Sequence, residues 1–175
     1  MMNRYKLAVL AGTLLWSIWV YADVRINITG TLREPICTVT GADGNTTVNV
    51  FFGEAKIRDV GSEKVEKSIQ LKIKCESMAP NNKILKMKMS PTYNGVVNTL
   101  GDHVLKTSID GLGIALMQGK DPVVLNSWLP VNSIDTSTGE PAGDVVLTAR
   151  LVSPNIRALK AGEFRSSASL VMSYQ

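Results

Sequence analysis

The sequence predicts an all-β domain, an antiparallel sandwich of the immunoglobulin kind. Short segments alternate apolar and polar residues, turn residues separate these segments at regular spacing, and no window sustains a helical period with cap signals at both ends. The content of 45% hydrophobic and 19% charged residues fits one soluble domain. About seven strands are expected, with no internal repeat and no linker that would divide the domain.

The first 22 residues are interpreted as a secretory signal peptide. Arg4 and Lys6 precede the apolar run LAVLAGTLLWSIWVY, and Ala22 lies at the expected cleavage site. A membrane anchor is the alternative, but the apolar run is short for a span of about 20 residues, and a polar, alternating segment follows it. The mature chain is therefore expected to begin at Asp23 and to be exported.

The alternating segments follow one another along the mature chain. Lysines occupy the polar face of two of them, which predicts solvated strand faces and no nucleic-acid surface. LGIALMQG is hydrophobic nearly throughout and is expected at the centre of a sheet, whereas VLKTSIDGL and PNIRALKAG hold a turn or two of helix at most. The other predicted strands are ICTVT, TTVNVFFG, SIQLKIKC, KILKMKM, LNSWLPV, DVVLTARLV and the last segment of the chain.

Catalytic and metal-binding motifs are lacking in the sequence. His103 is the single histidine, no nucleophile motif is present, and the pair Gly111 and Gly113 lacks the third glycine of a phosphate loop. We therefore expect no enzyme, no cofactor, no metal and no small-molecule substrate. Cys37 and Cys75 form an even pair in an exported chain, which favours a disulfide over a free thiol pair or a metal site.

The last segment, GEFRSSASLVMSYQ, has the two-residue period of a half-buried strand. Its inward face is predicted to hold Phe164, Ser166, Ala168, Leu170, Met172 and Tyr174. If this is the sixth strand of an immunoglobulin-like set, the absent seventh leaves an apolar groove open. Each Å² of apolar surface left in water costs about 25 cal/mol, so another chain is expected to fill the groove.

A strand pattern also precedes the first cysteine. In DVRINITGTL one face carries Val24, Ile26, Ile28, Gly30 and Leu32. This segment fits the first strand of the sandwich, but glycine weakens a strand and often marks a close approach of another backbone. The alternative is that the segment adds a strand to the open groove of a neighbouring molecule.

Together these features resemble the pilins of the chaperone-usher pathway, most of all the small minor subunits of P pili and type 1 fimbriae. The likeness covers the whole mature chain. It includes DVRINITGTLREPICTV, the paired cysteines, VNVFFG, GLGIALMQGK, Gly162 as the fourteenth residue from the carboxyl terminus, and Tyr174 as the penultimate residue.

The resemblance implies an incomplete immunoglobulin-like sandwich lacking its seventh strand. Residues 23–34 would be a donor-strand extension and residues 35–175 the pilin domain. A periplasmic chaperone would complete the fold first, Gln175 supplying the carboxylate that it holds, and a neighbouring pilin would complete it later. The groove and chaperone-binding strand would comprise Gly162, Phe164, Ala168, Leu170, Met172, Tyr174 and Gln175. The implied partners also include an outer-membrane usher and, for a subunit next to the tip, an adhesin. The implied location is a surface fimbrium reached through the periplasm.

Within this family the sequence favours a tip adaptor that links the adhesin to the fibre. A rod pilin and an assembly terminator share the fold and stay open as alternatives. A sugar-binding adhesin is disfavoured because the mature chain has room for one domain and carries the donor-like strand. Trp128 is accordingly interpreted as a core or groove-rim residue rather than a sugar platform.

Overall fold

The computed structural model describes residues 27, 29–31, 35–93, 95–137 and 139–175. The predicted signal peptide and the donor positions Val24, Ile26, Ile28 and Leu32 lie outside the described residues. All the strands among these described residues belong to the second of the chain's two units, Glu34–Gln175. Within the described ranges no helix is long and apolar enough to cross a membrane.

The described residues form nine strands in two sheets, and every pairing between strands is antiparallel. The larger sheet has the order β1-β2-β8-β5-β4, with β6 beside β5, and the smaller sheet has the order β7-β3-β9. The predicted all-β architecture is confirmed. The strands are β1 (Cys37–Gly41), β2 (Glu66–Cys75), β3 (Leu85–Pro91), β4 (Val104–Lys106), β5 (Gly113–Gln118), β6 (Asp121–Pro122), β7 (Trp128–Pro130), β8 (Ala142–Val152) and β9 (Ala168–Tyr174).

The core lies between the two sheets, and alternation along the strands puts the apolar residues there. In β2, Leu71 and Ile73 are buried while Lys72 and Lys74 are exposed. This period of two is the reason that a sequence of this kind forms a strand with one face on a core. The buried side chains of the other long strands follow the same rule: Leu85, Met87 and Met89 in β3, Val145, Leu147, Ala149 and Leu151 in β8, and Met172 and Tyr174 in β9.

A disulfide joins Cys37 at the start of β1 to Cys75 at the end of β2. The two cysteines are direct cross-strand partners in the antiparallel pair. Cys75 is fully buried in the core. The predicted disulfide is confirmed, and it fixes an edge strand of the larger sheet to its neighbour.

One local prediction is wrong. TTVNVFFG forms no strand, because residues 46–53 pair with no strand of the described part of the chain, so their alternation has no ladder to join. VLKTSIDGL, in which a turn or two of helix at most is expected, contains the short strand β4, since Val104–Lys106 pairs with β5. A short 3-10 turn, Ile156–Ala158, does occur in PNIRALKAG.

Candidate strand-binding groove

The last strand, β9, lies at an edge of the smaller sheet. It pairs with β3 from Leu85 opposite Tyr174 to Pro91 opposite Ala168, and β3 is its only strand neighbour within the described residues. The first strand, β1, is likewise at an edge of the larger sheet and contacts β9. The two edges face one another, so the sandwich has an open side between them.

Burial along the terminal segment changes at Leu170. Phe164, Ala168 and Leu170 are half-buried, whereas Met172 and Tyr174 are buried. Ser166, in the same register, is also half-buried, and the four residues that alternate with these positions are exposed: Arg165, Ser167, Ser169 and Val171. The alternation predicted from the sequence is therefore present, but only the first part of the segment faces an open space.

That open space is a groove of about 740 Å³. One lip is the irregular segment 46–52, continuing from Val39 and Thr40 of β1, and the other lip is the segment from Phe164 to Leu170. Apolar side chains of the core form the floor, which means that the groove opens directly onto the interior between the sheets. The floor residues are Ile69, Leu71, Met89, Leu105, Ile114, Leu116, Leu147 and Ala149.

The groove is almost uncharged. Arg165 is the one charged residue among its lining, and the other polar lining residues are threonines, serines and an asparagine on the two lips. An apolar floor between polar lips fits an extended segment whose alternate side chains point inward and outward. No group of three or more potential metal-ligating side chains occurs among the described residues, either in the groove or elsewhere.

A second cavity, of about 1030 Å³, lies at one end of the groove. Phe51, Phe52 and Phe164 line both cavities. The rings of Phe52 and Phe164 meet from opposite lips, with their centroids 5.8 Å apart. The floor of this end pocket is a small buried cluster of Val60, Leu112 and Leu151.

Hydrogen bonds hold in place the part of the second lip that precedes β9. The Arg165 backbone N–H donates to Ser108 Oγ, and the Ser108 N–H donates to the Arg165 carbonyl, at 3.1 and 3.0 Å. Ser166 Oγ donates to the Lys106 carbonyl at 2.8 Å. These bonds tie the lip to the end of β4, so the groove keeps its opening without a regular strand along its whole length.

Tyr174 lies beyond the groove, with its side chain 2% exposed. Its hydroxyl donates to the Ser77 carbonyl at 3.1 Å. Burial raises the pKa of this phenol above its ordinary value of 10.0. The ring thereby anchors the end of β9 to the residues that follow β2.

Tyr174→Phe is expected to change the alkaline stability of the chain. A raised pKa in the folded state means that the stabilisation is fully present below the pKa of the unfolded phenol, about 10, and is lost as pH rises through the folded pKa. Phenylalanine does not ionise, so the stability of the variant does not fall in this alkaline range. At neutral pH the variant is less stable, because it lacks a hydrogen bond worth about 1 kcal/mol. Urea unfolding from neutral to strongly alkaline pH measures both effects, and identical alkaline slopes for the two proteins would contradict the assignment.

The structure places the sequence-predicted groove residues in four groups. Phe164, Ala168 and Leu170 line the groove, and Gly162 lines the end pocket. Met172 and Tyr174 are buried in the core, and Gln175 is exposed and exchanges backbone hydrogen bonds with Ile84. Of the predicted donor positions, Gly30 alone is described; it is exposed, and a Cβ there would meet nothing within 4 Å.

Sequence reasoning missed the opposite lip and the floor of the groove. One sequence signal for the opposite lip was the pair Phe51 and Phe52 at the end of a segment expected to be a strand. In the structure, 80% of the surface of Phe51 is accessible. Trp128 is neither in the core nor on the groove rim. It is half-buried on β7, and Lys88 Nζ lies 5.0 Å from its ring centroid on the outer face of the smaller sheet.

The all-β fold of two antiparallel sheets matches solved structures of pilus subunits. The P pilus rod subunit PapA matches at a TM-score of 0.57 and 19% identity, over 79% of this chain and 99% of that one. The P pilus adaptor subunit PapF matches at a TM-score of 0.53 and 26% identity, over 80% and 96%.

Residues 26–175 match the model of the fimbrial protein family, and the chain belongs to that family. Two relatives from Escherichia coli are similar over nearly their full length. The minor fimbrial protein PrsF is 29% identical, over 97% of this chain and 98% of that protein, and the fimbrial adapter PapF is 28% identical over the same shares. The family is one of structural subunits of a surface fimbrium and not of enzymes, which confirms the predicted class.

Proposed function

We propose that this chain is a minor tip-adaptor subunit that joins an adhesin to a fimbrial fibre by exchanging strands with its neighbours. The observation that carries the proposal is the groove between the 46–52 lip and the Phe164–Leu170 lip, which exposes the core on one side. The N-terminal strand of one neighbour would fill this groove. Residues 23–32 of this chain would fill the groove of another subunit.

The dimensions of the two partners agree. Extended chain rises about 3.3 Å per residue, so the apolar face from Val24 to Leu32 spans about 26 Å and the lip from Phe164 to Leu170 about 20 Å. The end pocket beyond Phe164 extends the site further. Alternation in the donor, with five inward positions, matches a groove that has an apolar floor and polar lips.

Before assembly, a periplasmic chaperone would cover the groove, and an outer-membrane usher would present the subunit for exchange. The predicted chaperone-binding strand is the terminal segment, with Gln175 exposed at its end. Strand addition by the chaperone in the parallel direction is slightly less stable per residue than antiparallel addition by a pilin. Replacement of the chaperone strand by the pilin strand is therefore expected to lower the free energy without nucleotide hydrolysis.

The adaptor role is favoured over a rod pilin or a terminator by the near full-length similarity to a protein described as a fimbrial adapter. Counting the copies of this chain in purified fibres, by quantitative mass spectrometry and by immunogold labelling, tests the role. One or a few copies near the tip support the adaptor. Labelling along the whole rod would show a major subunit instead.

Gly30→Leu is expected to slow strand exchange into an acceptor subunit. Overpacking a tight site costs about 1–3 kcal/mol, and a bulky residue in the inward register meets the acceptor's floor. Because a Cβ at Gly30 meets nothing within 4 Å in this chain, the substitution leaves the donor's own fold unaffected.

The rate of strand exchange is measured in a time course that starts from the acceptor subunit's complex with its chaperone. Thr31→Leu is the matched control, because it adds the same side chain to the outward face. Equal rates for Gly30→Leu and the unaltered chain would show that position 30 does not face the floor of the acceptor's groove.

A further inference from the structure

The outer face of the smaller sheet carries cations that take no part in the groove. Strand alternation puts Lys86 and Lys88 of β3 on this face, because Leu85, Met87 and Met89 on the same strand are buried in the core. The two lysines are therefore attached to one side of one strand, two residues and about 7 Å apart along the chain.

A row of three side chains crosses the middle of this face. Lys88 lies opposite Trp128 of β7 on one side and opposite Val171 of β9 on the other. The Lys88 Nζ is 5.0 Å from the centroid of the Trp128 ring, so this cation lies against an aromatic ring rather than a carboxylate. Val171 is 50% exposed, which leaves an apolar side chain in water beside the cation.

The next row along β3 also lacks a carboxylate. Lys86 lies between Pro130 and Ser173, neither of which carries a charge. Ile84 follows at the same alternation; it is 52% exposed and exchanges backbone hydrogen bonds with Gln175, the residue after β9. The register and these bonds join the rows into one surface, which we call the β3 face: Ile84, Lys86, Lys88, Trp128 and Val171.

The outward-facing cations of β2 and β8, on the larger sheet, differ because a carboxylate lies beside each of them. The pairs are Lys72 opposite Asp144, Lys74 with Glu140, and Arg150 with Glu66. Among the described residues, Lys86 and Lys88 form no ion pair, and no acidic side chain occurs in the rows of the β3 face. The positive charge on the smaller sheet is therefore uncompensated.

We propose that the β3 face binds an acidic surface of another protein. The proposal rests on charge complementarity, since two cations without a counter-charge attract carboxylates on a partner. The exposed apolar side chains of Ile84 and Val171 flank the cations and would be covered in the same contact. None of the five residues lines the groove or its end pocket, so this surface is separate from the proposed strand exchange.

The composition of the β3 face favours a protein partner over a soluble polyanion. A polyanion supplies charge alone, whereas a folded protein supplies carboxylates together with apolar side chains for Ile84 and Val171. Tryptophan is enriched at the centres of protein interfaces, and Trp128 lies in the middle row. Lys88 lies over the indole ring, which leaves that face of the ring unavailable for stacking with a sugar or a base.

Photo-crosslinking from the β3 face identifies the partner and its chemistry. Cells produce the full chain with p-benzoylphenylalanine in place of Val171, and the cells and their purified fibres are irradiated before the crosslinked peptides are sequenced. Val146 is the matched control, because it is 48% exposed on the outer face of the larger sheet. We expect position 171 to crosslink to one protein, at a segment that carries aspartate or glutamate, and position 146 to give no such product.

Charge reversal tests whether the lysines recognise the partner. Lys86→Glu with Lys88→Glu is expected to lower the crosslinked yield from position 171 at least tenfold. Lys86→Arg with Lys88→Arg keeps both charges and is expected to retain the yield. Lys72→Glu with Lys74→Glu has the same spacing on the other sheet and is expected to change the yield less than twofold, and urea unfolding verifies that each variant is folded.

Several results would overturn the inference. They are an absence of crosslinks from position 171, equal crosslinking from positions 171 and 146, a crosslinked segment without carboxylates, and an unchanged yield after reversal of Lys86 and Lys88. Retention of the chain on immobilised heparin that depends on these two lysines, with no protein crosslinked from position 171, would identify a polyanion site instead. Copy number and strand exchange are measured separately, so each of these results leaves the proposed function intact.

Discussion

Deletion of Asp23–Leu32 is expected to abolish entry of this chain into fibres while leaving its complex with a periplasmic chaperone intact. The reason is a division of tasks: the groove and β9 belong to residues 35–175, whereas the deleted residues carry the predicted donor face. Loss of the five inward positions, four of them apolar side chains and one a glycine, removes the whole strand that an acceptor would bind. Co-purification from the periplasm and immunodetection in purified fibres give the two readouts.

A matched control tests whether the apolar face of the donor, and not its mere presence, is required. Replacing Asn27, Thr29 and Thr31 with alanine changes the outward face and is expected to preserve assembly. Replacing Ile26 and Ile28 with aspartate is expected to block it, because a charge buried without a partner is costly. Loss of the chaperone complex on deletion, or normal assembly without residues 23–32, would contradict this division of tasks.

Replacement of Cys37 and Cys75 by serine is expected to lower the free energy of unfolding by about 4 kcal/mol on the chain-entropy model. The disulfide closes a separation of 38 residues and holds the edge strand β1, which continues into the groove's first lip. For domains whose total stability is about 5–15 kcal/mol, the loss is large. Urea unfolding of the chaperone-bound or fibre-assembled chain measures it.

The reduced, unaltered chain is the control for the cysteine variant. It has the same open loop without the two serine substitutions, so both proteins are expected to unfold at similar urea concentrations. A change in unfolding free energy below about 1 kcal/mol in the double variant would mean that the disulfide adds little beyond the β1–β2 ladder.

The strands that the sequence predicts best are those with one face on the core and one in water. In SIQLKIKC and KILKMKM, lysines alternate with buried residues such as Ile73 and Met87, and the structure has β2 and β3 there. LGIALMQG lacks alternation because β5 lies inside the sheet, where both Ala115 and Leu116 are buried. Periodicity carries this information because a strand's environment repeats every second residue.

The parts that could not be predicted depend on neighbours distant in sequence. β4 has three residues, too few to show a period, and its identity as a strand comes from pairing with β5. Residues 46–53 have the period of a strand but lie along an open groove. The floor of that groove is drawn from β2, β3, β4, β5 and β8, an arrangement fixed by sheet packing and invisible to a local pattern.

The central claim, that a neighbour's strand fills the groove, is tested most directly by hydrogen exchange of the backbone amides in Ala168–Tyr174 and in residues 46–52. Exchange is compared between the assembled fibre and the isolated, refolded chain, with the amides of β8 as an internal reference. We predict strong slowing on both lips in the fibre and little change in β8, because a new strand hydrogen-bonds the free edge of β9. Equal exchange of the lip amides in the two states would contradict the claim.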